Sequence, residues 1–236
     1  MAEARETGPR EQPAAPTLDR TTGGLPSPEL LALRLARGAA EGRGYPGPYG
    51  NEPIPEGARA SAVAAVLRWP RDPGHAPDAG PEVLLMVRAE HPGDPWSGQI
   101  SLPGGRHEPD DPHLVATAIR ETEEELGVDL ARAGRLLGGL PPIRARADGG
   151  MLSLYARPFV FELTGEVTVT PNHEVAGTFW LPLGTAHAGA LDHTHRYTTK
   201  DGRVVLLDSW LYGERLVWGL TYRILTALVD HAAAGR

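Results

Sequence analysis

The chain contains no cysteine among its 236 residues, so no disulfide can staple it, and a reducing cytoplasm is the default setting. It also lacks an excess of positive charge. Lys and Arg number 23 against 30 Asp and Glu, leaving a formal net charge of −7; this argues against a nucleic-acid coat protein, because a phosphate backbone demands basic patches. Long apolar runs are missing as well. The opening MAEARETGPREQPAAP mixes charges without a hydrophobic h-region, so neither a signal peptide nor a membrane span is expected. What is present is an apolar content of 41%, enough for one domain with a sizeable core plus an appendage. No internal repeat is evident.

The appendage comes first. Residues 1–26 are rich in Pro, Gly, Thr and charge, with little to bury, and are expected to be disordered. Residues 27–57 are expected to form a short helix, opened by Ser27-Pro28-Glu29 and carrying Leu30, Leu31 and Leu35, followed by the Pro/Gly-rich connector EGRGYPGPYGNEPIPEG. Tyr45 and Tyr49 in that connector either line a pocket or pin the linker to the surface. The main domain is expected over residues 58–232. Val- and Leu-rich segments predict strands at 61–69 and 82–89, joined by the loop PRDPGHAPDAG, and further strands at 136–143, 151–163 and 177–183. A helix over 216–231 carries Val217, Leu220, Ile224 and Leu228 on one stripe. Mixed strands with helices on both sides predict an α/β (α+β) three-layer sandwich.

The densest chemistry lies in Arg120-Glu121-Thr122-Glu123-Glu124-Glu125-Leu126-Gly127-Val128. At about 100° of rotation per residue, Glu121, Glu124 and Glu125 share one helix surface, while Leu114, Val115, Ala118, Ile119, Thr122 and Leu126 mark another. Such a helix buries one side and presents a carboxylate comb on the other. Neighbouring carboxylates repel, and a divalent cation with its taste for oxygen ligands is the natural counter-charge. Asp111 as N-cap, Pro112 as first helical residue and Gly127 as a left-handed stop predict a helix over 112–126. Arg120 stands four residues before Glu124 and can hold that carboxylate in place. Glu123 points away from the comb, and His107 and His113 read as surface residues. His193 and His195 form an HxH pair on a predicted loop with no third ligand to make a zinc site. Arg144 and Arg146, expected just after a strand, suit either a substrate phosphate or solvent.

With Leu102-Pro103-Gly104-Gly105 ahead of it, this segment resembles the Nudix box: Gly105, five residues, Asp111, eight residues, then the Arg-Glu and Glu-Glu core. Two departures are visible, one extra residue before Arg120 and Asp111 in place of the usual Glu. The resemblance implies a Nudix-type α/β/α sandwich with a mixed sheet, and hydrolysis of a diphosphate linkage with Mg²⁺ or Mn²⁺ held by Glu121, Glu124 and Glu125. Arg120, Glu124 and Glu125 would serve the chemistry, Gly104 and Gly105 would let the backbone approach metal and phosphates, and Glu174, in Thr170-Pro171-Asn172-His173-Glu174-Val175, is similar to the acid that many members bring from outside the box. A narrower likeness, to the coenzyme A pyrophosphatase group, rests on Leu84-Leu85-Met86-Val87-Arg88-Ala89, Gly98, Pro103-Gly104-Gly105 and Trp218-Gly219-Leu220-Thr221. Arg88 would then bind substrate. Leu102 for Phe, Ala89 for Ser, Gly93 at the place of an Arg, and the longer loop 94–97 depart from that group's pattern. The implied substrate is coenzyme A or a derivative; ADP-ribose, a nucleotide sugar or a nucleoside triphosphate are the enzymatic alternatives, and a nucleotide-metabolite-binding sensor module the non-enzymatic one. The implied partners are a small-molecule diphosphate, no nucleic acid and no membrane, with the oligomeric state left open, a homodimer included.

Overall fold

A computed structural model describes residues 24–40, 58–70, 80–92, 96–147 and 150–233, with side chains from 146 to 152 set aside. Calls on residues 1–23 and on the connector, Tyr45 and Tyr49 among them, lie outside these described residues. The order is α1 (Pro28–Ala40), β1 (Arg59–Arg68), β2 (Glu82–Arg88), β3 (Ile100–Ser101), β4 (Gly104–Arg106), α2 (Leu114–Leu126), α3 (Leu130–Ala133), β5 (Gly134–Gly139), β6 (Ile143–Ala147), β7 (Gly150–Leu163), β8 (Val175–Pro182), α4 (Leu183–His187), β9 (Asp192–Thr198), β10 (Val204–Tyr212), β11 (Arg215–Val217) and α5 (Gly219–Ala233).

An eight-stranded mixed sheet forms the middle layer. Its path is β3-β2-β1-β7-β5, with β4 on β1, β6 on β7 and β8 on β2. β1 and β7 run parallel from Arg59↔Leu154 to Leu67↔Glu162, and the other pairs are antiparallel. Strand periodicity then divides the core. Ala65 and Leu67 of β1 and Val83 and Leu85 of β2 face α1, α5 and Trp210, whereas Ala62, Ala64 and Val66 with Leu84 and Met86 face α2. Residues two apart share a face, and strands covered on both faces become near-continuous apolar runs. Helices on both sides of a mixed sheet give the expected three-layer α+β architecture.

Several boundaries differ from expectation for identifiable reasons. α2 starts at Leu114 rather than 112, because His113 supplies the cap: its Nδ1 accepts from the Ala116 N–H at 3.0 Å. The strand expected at 136–143 is two strands, β5 and β6, and a register shift lies between Leu136 and Gly138. Arg144 and Arg146 consequently lie within β6, not on a loop. The closing helix begins at Gly219 because residues 215–217 pair with β10, and Gly219, at φ 65°, makes the left-handed turn between the two. His193 and His195 are likewise strand residues of β9, in a separate antiparallel sheet ordered β11-β10-β9.

Candidate active site

The site grows from the contact between α2 and the glycine loop. Leu102 is buried in the core, and the Pro103 carbonyl accepts from the Ala64 N–H at 2.9 Å. β4 then pairs with β1 through Val63↔Gly104, Ala62↔Gly105 and Ser61↔Arg106. Gly104 is sterically required, and Gly105 leaves the space that a side chain occupies. A Cβ on Gly104, at φ 148°, would stand 2.3 Å from the Ala62 carbonyl oxygen, and one on Gly105 would stand 2.4 Å from Glu121 Oε1. The bare backbone of Gly105 thus makes room for the Glu121 carboxylate. Gly104 donates its N–H to Glu125 Oε2 at 2.8 Å.

Two carboxylates therefore sit side by side in a partly closed place. Glu125 is only 4% exposed. Burial pushes its carboxyl up to about 7; the Gly104 N–H opposes the rise, the charges of Glu121 and Glu174 add to it, and Arg88 counters them. Burial also raises Glu121, against the pull of Arg120. Arg88 ends β2, where its N–H donates to the Gln99 carbonyl at 3.0 Å.

The outer edge of α2 is arranged in the opposite way. Arg120 donates from Nε to Asp111 Oδ1 and from Nη2 to Asp111 Oδ2, each at 3.0 Å. The same guanidinium reaches Glu124 and Glu121 at 3.0 Å and the Arg106 carbonyl at 3.2 Å. These bonds from Arg120 hold the Asp111 carboxyl well below the usual carboxylate range and raise the guanidinium in turn. Asp111 is therefore a partner of Arg120, not the helix cap. Its Oδ2 also accepts from the buried Thr117 hydroxyl at 2.8 Å, and His107 Nδ1 lies 2.9 Å from that hydroxyl. Glu123 is exposed.

Glu174 comes to the same place through a loop tied to the end of α2. Thr170 N–H donates to the Leu126 carbonyl at 2.8 Å and Asn172 N–H to the Glu125 carbonyl at 2.9 Å, closing helix-terminal acceptors. Asn172 Oδ1 accepts from the Glu174 N–H, and the Glu174 carbonyl accepts from Ala89 N–H, both at 2.8 Å. The structure thus brings Glu121, Glu125, Glu174, Arg88 and the glycine pair together, while Glu124 is turned outward onto Arg120. Sequence reasoning missed Asn172, which the Pro171-Asn172 turn signal could have shown, and Thr117, for which no signal was available. Among the described residues, no three His, Asp or Glu side chains converge at metal-ligand geometry. The donors nonetheless fit a hard divalent cation: oxygen ligands only, Glu125 buried and Glu121 half-buried with their charges opposed, and a cradle beside Glu121 that any Cβ would fill.

Residues 59–202 match the model of the NUDIX domain family. This chain belongs to the Nudix family. It is accordingly a hydrolase of the pyrophosphatase class. The Nudix domain here is 34% identical over 157 residues to the protein named Uncharacterized Nudix hydrolase NudL of Yersinia pestis (strain Pestoides F), covering 65% of this chain and 73% of that relative. Solved structures similar to it include a MutT/nudix family protein from Enterococcus faecalis, at 17% identity and a TM-score of 0.44 over 78% of this chain and 70% of the other. A C. elegans Ap4A hydrolase matches at 21% identity and a TM-score of 0.42, over 54% and 82%.

Proposed function

We propose that this Nudix hydrolase cleaves the diphosphate linkage of coenzyme A or a derivative, releasing 3′,5′-ADP and 4′-phosphopantetheine or its acyl form. The observation that carries the reading is the buried Glu125 and half-buried Glu121 against the Gly104-Gly105 backbone with Arg88 close by. The likeness of Arg88, Gly98, Pro103-Gly104-Gly105 and Trp218-Gly219-Leu220-Thr221 to the coenzyme A group supports the substrate.

Glu121 and Glu125, with Glu124 completing the set, would hold Mg²⁺ or Mn²⁺. Such an ion supplies a Lewis acid that polarises the diphosphate and lowers the pKa of water. The chain's own residues do the rest. Gly104 N–H fixes one oxygen of Glu125, and Arg120 restrains Glu121 and Glu124. Arg88 offers a guanidinium to the substrate phosphates. Glu174, its backbone held by Asn172 and Ala89, accepts the proton of the attacking water. A cytoplasmic setting suits such a metabolite, and no described helix is long and apolar enough to cross a membrane.

The test compares initial rates on coenzyme A, an acyl derivative, ADP-ribose, a nucleotide sugar and a nucleoside triphosphate at one Mg²⁺ concentration, with products identified. Coenzyme A or its acyl form should give the highest kcat/KM; a tenfold advantage for another compound overturns the substrate assignment. On the best substrate, Glu174→Gln should lower kcat by about tenfold or more with little change in KM. An unchanged kcat removes Glu174 from proton transfer.

A further inference from the structure

The three-stranded sheet carries an aromatic group that the chemistry above leaves unused. His195 and Tyr197 alternate with exposed neighbours along β9 and share one face of it. Trp218, in the turn between β11 and α5, lies against both, with ring centroids 4.8 Å from His195 and 5.2 Å from Tyr197. The rings are tilted by 50° and 36° instead of stacked flat, and all three stay half-buried. A neighbouring pair shows what a purely structural aromatic contact looks like in this protein: Trp210, only 2% exposed, meets Tyr222 edge-on inside the core. Burial, helped by the charge of His193 beside it, holds the His195 imidazole below its ordinary value, so the ring is neutral at pH 7 and offers a π-face.

The group is fastened to the glycine loop. Three residues beyond Trp218, the buried Thr221 hydroxyl donates to the Ile100 carbonyl at 2.9 Å. Ile100 lies in β3, four residues before Gly104, a stretch of at most about 14 Å even when fully extended. Gly219, at φ 65°, turns the chain at Trp218 into α5. The aromatic face is therefore tied to the segment that leads into the carboxylate site.

We propose that His195, Tyr197 and Trp218 form the platform on which the nucleobase of the substrate stacks, so that a flat heterocycle is read on β9 while the diphosphate is held at Gly104 and Gly105. The inference rests on the proposed function above and names the part of the substrate recognised away from the reacting phosphorus. Base-on-aromatic stacking tolerates any heterocycle, so the platform selects for the presence of a base and not for its hydrogen-bonding edge.

Calorimetry on the full chain with AMP and with ribose 5-phosphate isolates the base, since the two probes differ only in carrying adenine or a hydroxyl at C1′. AMP should bind at least about tenfold more tightly, and Trp218→Leu should erase that advantage, as removal of a stacking ring does, while ribose 5-phosphate binding stays the same. Should Trp218→Leu lower the Tm sharply, Tyr197→Leu is measured against the same criterion. Equal binding of the two probes by the unaltered chain, or an AMP affinity within twofold of it in a folded variant, overturns the platform. Glu125→Gln separates this idea from the reading it rests on: a platform preserves the preference for AMP over ribose 5-phosphate in that variant whether or not hydrolysis has been lost.

Discussion

The inner and outer edges of α2 treat the same functional group in opposite ways. On the inner edge Glu125 is buried and Glu121 half-buried against glycine backbone, and burial disfavours the charged form of each. On the outer edge Asp111 and Glu124 share one guanidinium, and the Asp111 charge is secured by it. Glu125 is left with a demand for positive charge, Glu121 meets part of its own through Arg120, and the outer pair has met that demand from within the chain. Burial without a cation is costly, whereas a carboxylate paired with a guanidinium, as Asp111 and Glu124 are, recovers much of that cost through charge-assisted bonds. A helix with four glutamates near its end therefore presents two carboxylates ready for a ligand and a girdle that holds them in register.

The strongest way to break this contrast is Glu125→Gln. Turnover should fall by about a hundredfold or more with the fold retained, because a charged oxygen ligand is lost, while Glu124→Gln should cost only about tenfold. Steady-state kinetics under a Mg²⁺ titration, with circular dichroism as the folding control, decides it; equal losses in the two variants would erase the distinction between the edges. Excess chelator should silence both variants and the unaltered protein.

A second test acts on the cradle. Gly105→Ala places a methyl where Glu121 Oε1 now lies, so the carboxylate must turn away and kcat should fall by about tenfold. Gly104→Ala meets backbone instead, at the Ala62 carbonyl, and should destabilise the fold by about 2 kcal/mol or more. Denaturant unfolding beside kinetics separates the two. If Gly105→Ala turns over normally, the close approach is packing alone.

The smallest effect is a slope in stability. A carboxyl whose folded pKa is raised keeps its proton while the unfolded chain loses one, so stability in chelator should drop as pH rises from about 4.5 to about 7 and level off above. The lowered Asp111 has the opposite sign: its contribution is complete above the ordinary value of 3.8 and is lost only in acid. Thermal melts across that range should fall by about 5 °C, and Glu125→Gln or excess Mg²⁺ should flatten the curve. A flat curve for the unaltered protein in chelator would show that burial does not oppose the Glu125 charge.

Much of this was legible from spacing. A run of glutamates at helical periodicity with an arginine one turn earlier leaves few geometries, and Val- and Leu-rich strands with helices on both sides announced a sheet covered on both faces. The cap was misread because Asp111 has two duties available. Two charge-assisted bonds to Arg120 outweigh a single bond to a backbone N–H, which frees the cap for His113. DHTHRYT reads as a loop because it carries almost nothing apolar, yet it is an exposed strand whose pairing with β10 supplies the order. The meeting of Glu174 with Glu125 depends on the Asn172 N–H reaching the Glu125 carbonyl, a contact between distant residues that local pattern does not encode.

The parallel pairing of β1 with β7 has a consequence for how the molecule assembles. Ser61 donates its hydroxyl to the Tyr155 carbonyl across 94 residues of sequence, and Arg34 in α1 reaches the Ala232 carbonyl across 198. Such distant closures are slow to form. On the ribosome the glycine loop and α2 emerge long before β7, and α1 waits longer still for α5. The carboxylate pair is thus synthesised early and enclosed late, so a chain cut short before β7 carries Glu121 and Glu125 without Glu174 and without the long strand that pairs with β1.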